Sequence, residues 1–71
     1  MNKSILTERE KEVFLLLIKN YSTLDIAEEL GISEKTVRNH ISNAMQKLEV
    51  KGRTQAVVEL LKMGELDLED D

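Results

Sequence analysis

TLDIAEELGISEKTVRNHI, residues 23–41, reads as two short helices separated by a turn. Ser22, with Asp25 three residues on, has the spacing of a capping box and opens the first helix. Ile26, Ala27 and Leu30 form its inner face. Gly31 stops it, because glycine takes the left-handed conformation at little cost. Ser33 caps the second helix, whose aliphatic side chains Val37, Ile41, Ala44, Met45 and Leu48 form one stripe over 34–48. Two helices that cross over so short a turn need a small residue in the first helix and a glycine between them. They also need apolar side chains on both sides. Counted from Thr23, these demands fall on Ala27, Gly31, Ile26, Leu30, Ile32, Val37 and Ile41, and all are met. The register is that of a helix-turn-helix over about 23–42.

The flanks add one helix on each side. Thr7 and Glu10 have capping-box spacing, and the helix they open is expected to run to about Asn20. Val13, Phe14, Leu17 and Ile18 share its inner face, with Leu16 at the edge and Leu15 left outside. Gly52 is expected to break the chain again. A fourth helix then runs from about Arg53 to Met63, with Gly64 as its stop. Ala56, Val57, Leu60 and Met63 fill its core-facing arc, while Leu61 lies at the margin and Val58 well beyond it. No alternation of period two and no internal repeat appears. The expectation is an all-α domain of four helices over 1–66, followed by an acidic tail, 67–71.

Composition excludes several classes. A chain of 71 residues allows one small core and gains from pairing with a second copy. There is no cysteine, so no disulfide framework and no thiolate metal site is expected. A lone histidine without other ligands is not a metal site either. No apolar run approaches the ~20 residues of a membrane span, and no signal peptide opens the chain. A single tyrosine and a single phenylalanine argue against a binder of single strands built on aromatic stacking.

The net charge of −4 is unevenly spread. Residues 35–53 hold Lys35, Arg38, Lys47, Lys51 and Arg53 against Glu49 alone. Opposite the aliphatic stripe of helix 34–48 lies a face of hydrogen-bonding groups, suited to the major groove of duplex DNA. Arg38 can present a fork to guanine O6 and N7, and Asn39 can pair with adenine N6 and N7. Lys35 and Ser42 flank them, each one turn away, and can reach neighbouring bases or phosphates. Ser33 and Thr36 sit at the helix N-terminus, where the dipole favours a phosphate. His40 borders the face and is a further candidate for a phosphate. Lys47, Lys51 and Arg53 carry positive charge past the helix end towards the flanking backbone. The Val58–Leu61 strip of the fourth helix is left apolar, which suits a two-fold homodimer.

LTEREKEVFLLL, DIAEELGISEKTVRNHI and KLEVKGRTQAVVELLKMG closely resemble the LuxR-type helix-turn-helix family, over nearly the whole chain. The resemblance implies a four-helix fold whose third helix enters the major groove and whose fourth dimerises. It puts base reading on Arg38, Asn39 and Ser42 and phosphate contacts near Thr36, Lys47 and Lys51. Glu49 departs from it, as an acid close to where DNA backbone would pass. Within the family the likeness is to a small sporulation regulator. It implies a cytoplasmic transcription factor in the mother cell of a spore-former, activating some late coat genes and repressing others. An activator touches RNA polymerase, for which Leu15 and the acidic face of the first helix are candidates. Many members carry a receiver or autoinducer domain ahead of this one. Only six residues precede Thr7, so neither a small-molecule ligand nor a cofactor is expected.

Three other readings remain. An enzyme would need a phosphate loop or a nucleophile–base pair, and neither is present. A helical module that binds protein through helix 34–48 would be insensitive to DNA. A sigma-factor fragment usually ends with its recognition helix, whereas here another amphipathic helix follows.

Overall fold

The computed structural model describes residues 5–67. It forms α1 (Glu8–Ile18), α2 (Thr23–Leu30), α3 (Glu34–Leu48) and α4 (Arg53–Lys62), with no strand among the described residues. The first three begin as the capping signals require. Thr7 and Glu10 exchange side-chain-to-amide hydrogen bonds of 3.1 and 3.0 Å, and Ser22 and Asp25 do the same at 3.0 and 3.1 Å. Ser33 Oγ accepts from the Thr36 amide at 3.0 Å.

Each helix ends in the same way. Asn20, Gly31, Glu49 and Gly64 all have positive φ, and the amide after each reaches back to close the last turn. Tyr21 N–H donates to the Leu16 carbonyl, Ile32 to Ala27, Val50 to Met45 and Glu65 to Leu60. This closure turns the following side chain inward, and Tyr21, Ile32 and Val50 all pack against the core. Short turns therefore add apolar contacts as well as reversing the chain.

Val13, Phe14, Ile26, Val37, Ala44, Ala56 and Leu60 are fully buried, with Leu6, Ala27, Ile41 and Leu66 close behind. Their centre is α3, which packs against α1, α2 and α4. Among the described residues one charged group joins this interior. Glu10 is 4% exposed, and its Oε1 accepts from the Thr7 amide and, at 2.7 Å, from Lys47 Nζ on α3. Burial raises the pKa of this carboxyl, but the Lys47 hydrogen bond, the Thr7 amide and the charges of Lys47 and His40 together bring it below the ordinary glutamate value.

Four expectations need correction. Leu15 is half-buried and packed against the core rather than left outside, as are Leu16, Leu17 and Ile18. Gly52 is the N-cap of α4 with φ −139°, and the residue that breaks the chain after α3 is Glu49. Met63 is 47% exposed, because the chain turns back at Gly64 and Leu66 enters the core in its place. The first helix stops at Ile18, two residues early, since Asn20 already has φ 73°. Of the tail 67–71, only Asp67 is among the described residues.

Two stability tests follow from these contacts. Glu49 combines a left-handed backbone, costing about 1 kcal/mol for a side chain with a Cβ, with a carboxylate at the negative end of the α3 dipole. Glu49→Gly is therefore expected to raise the urea midpoint, by about 1 kcal/mol of stability, without changing the slope. Glu10→Gln keeps the cap but loses the charge partner of Lys47, and is expected to cost about 1–2 kcal/mol at neutral pH. The folded pKa of Glu10 is lowered, so its contribution is complete above the unfolded glutamate pKa. It is lost as pH falls through the folded one. The gap between wild type and Glu10→Gln in urea melts should therefore close on acidification; a gap constant with pH would exclude this role.

Candidate nucleic-acid interface

Because Val37, Ile41 and Ala44 face inward, the opposite side of α3 is open. Lys35, Arg38, Asn39 and Ser42 are all exposed and fall within about 100° of arc at 3.6 residues per turn. Asn43 and Gln46 are exposed as well and lengthen the same strip. A 15-residue helix with one free face fits a groove about 12 Å wide.

The other candidate residues surround this strip unevenly. Ser33 and Thr36 lie at the N-terminus of α3, where their hydroxyl oxygens are 2.8 Å apart and Ser33 is also the cap. Lys51 and Arg53 are exposed beyond the C-terminal end and form no ion pair among the described residues. Arg53 opens α4, where a cation opposes the helix dipole and Gly52 offers no side-chain cap. His40 and Lys47 stand on the flank of α3 that faces α1. Lys47 is held by Glu10, so the structure does not bring it into the open strip. On α4, Val58 is 44% exposed, whereas Leu61 packs partly against the core.

Two further residues adjoin this face through Arg38. Glu34 lies 3.3 Å from Arg38 Nη1, and Thr23 Oγ1 donates to the same Glu34 oxygen at 2.7 Å. The spacing of Glu34 and Arg38, four apart on one helix, was visible in the sequence. The Thr23 hydroxyl was not, since it arrives from another helix.

Other chemistry is poorly served. The described residues contain no group of three or more His, Cys, Asp or Glu that could hold a metal ion. Among the described residues no helix is long and apolar enough to cross a membrane. One open groove, lined by Leu17, Ile18, Arg53, Thr54 and Val57, carries no acid, base or nucleophile pair.

Comparison with known proteins agrees with this geometry. The family model described as bacterial regulatory proteins, luxR family, matches residues 4–60. The chain is 72% identical over 67 residues to the spore germination protein GerE of Bacillus subtilis (strain 168), covering 94% of this chain and 90% of that one. It is 58% identical over 60 residues to the transcriptional regulatory protein DegU of Brevibacillus brevis, of which it spans only 25%. The solved structure of the transcription factor GerE superposes with a TM-score of 0.91 at 63% identity, covering 94% of this chain and all of that one. These relatives are transcription regulators and not enzymes, and their match runs through all four helices. The chain belongs to the luxR family of bacterial regulatory proteins and is a DNA-binding transcription regulator.

Proposed function

We propose that this regulator reads approximate inverted repeats in duplex DNA as a homodimer, with α3 of each copy in the major groove. The observation that carries this reading is the unbroken exposed polar face of α3, set directly opposite its buried stripe. Lys35, Arg38, Asn39 and Ser42 contact base edges. Ser33, Thr36, His40, Lys51 and Arg53 contact phosphates, and Lys47 does so only by sharing its ammonium with Glu10. The unfavourable cation at the start of α4 supports a phosphate there, since DNA would supply the missing negative charge. The DNA-binding domain spans 1–66, and the burial of Leu66 supports that boundary.

Likeness to the spore germination protein supports a role in sporulation. The regulator then acts in the cytoplasm of the mother cell, activating some late coat genes and repressing others. Activation requires a surface for RNA polymerase. The exposed Glu8 and Glu12 of α1 suit this better than Leu15, which is packed against the core.

Base reading and phosphate contact separate experimentally. Arg38→Ala is expected to relax one base position and weaken the preferred site by about 1–3 kcal/mol, while random duplex changes far less. Affinity should fall steeply with salt, by about 0.9 in log K per log salt for each phosphate neutralised. Lys51→Ala or Arg53→Ala should make that slope shallower by up to about one. A flat salt response would remove the DNA reading.

Val58→Asp tests the dimer more cleanly than Leu61→Asp, because Leu61 also supports the fold. The variant should keep its helical circular dichroism and sediment as a monomer. It should bind one half-site normally and lose the gain from a second half-site about one DNA turn away. A wild-type chain that stays single on two half-sites would exclude the homodimer.

A further inference from the structure

The Arg38 guanidinium already has a charge partner in the absence of DNA. Its Nη1 lies 3.3 Å from Glu34 Oε2, one turn earlier on α3. That same oxygen accepts the 2.7 Å hydrogen bond from Thr23 Oγ1 at the start of α2. The chain Thr23–Glu34–Arg38 therefore crosses the turn of the motif and ends on its outer face. Both charged side chains are well exposed, Arg38 at 55% and Glu34 at 39%, and an exposed pair at this spacing adds little to stability. An acid on a face that meets phosphates also works against binding. Orientation is what the arrangement provides. A free arginine samples many rotamers and is satisfied by whichever phosphate it reaches. An ion pair at Nη1 biases the side chain towards conformations that keep it beside Glu34, and its Nε and Nη2 donors remain available to a base.

We propose that Glu34 is a positioning residue for base reading: Thr23 anchors its carboxylate across the turn, and the carboxylate aims Arg38 at one base. This rests on the reading of Arg38 as a base contact. Removing the Glu34 charge then has two effects of opposite sign. General attraction to DNA is unchanged or rises, while discrimination at one position falls.

The test selects bound sites from random duplexes with the full chain as wild type, Arg38→Ala, Glu34→Gln and Thr23→Val. Titrations then compare the selected site with its variant at the position that Arg38→Ala relaxes. Glu34→Gln should keep its helical circular dichroism and bind random duplex at least as tightly as wild type. Its preference at that position should fall about 3- to 10-fold. Thr23→Val, which leaves the charge unchanged, should lower the same preference by a smaller factor and alter no other position. If both variants keep the wild-type preference, or Glu34→Gln sharpens it, Glu34 does not position Arg38. If Arg38→Ala itself relaxes no position, the base contact is at fault, and the positioning role falls with it.

Discussion

Val37, Ile41 and Ala44 are exposed by 3% or less, on a helix that packs against α1, α2 and α4 at once. Burying an aliphatic side chain such as Val37 or Ile41 contributes roughly 1.5–3 kcal/mol. A domain of this size has only about 4–10 kcal/mol of net stability, so one such contact is a large share of the whole. The same contacts fix the rotation of α3 about its own axis. A helix free to roll would bring Lys35, Arg38, Asn39 and Ser42 to no fixed place. Core packing and DNA recognition are thus two sides of one constraint.

Glu10 adds an electrostatic pin to that apolar grip. Its carboxylate closes the cap of α1 and holds Lys47 on the flank of α3, so a single oxygen joins a local signal to a tertiary one. Burial alone would make such a charge costly, and it is tolerated because its partners are in place. Lys47 contributes to positioning α3 whether or not it also meets a phosphate.

Much of the fold was legible because its signals are local. Thr7–Glu10, Ser22–Asp25 and Ser33 lie within four residues of the helices they open, and the stripe of α3 needs only periodicity. Helix ends were harder. Asn20 and Glu49 adopt the left-handed conformation without being glycine, and the decisive bonds come from residues beyond the helix. Leu66 displaced Met63 from the core for the same reason, since the path after Gly64 depends on tertiary packing. In the interface, the polar face of α3 followed from the same periodicity. The pairing of Lys47 with Glu10, 37 residues apart, and of Glu34 with Thr23 could not be read from spacing.

The division of α3 into a held side and a reading side is tested most directly by amide chemical shifts recorded as a duplex carrying the selected site is added. Large changes should cluster on Ser33, Lys35, Thr36, Arg38, Asn39 and Ser42, with Lys51 and Arg53 following. Val13 and Phe14 of α1 should stay nearly still. Changes centred on α1 or α4 with the outer face of α3 silent would contradict the division.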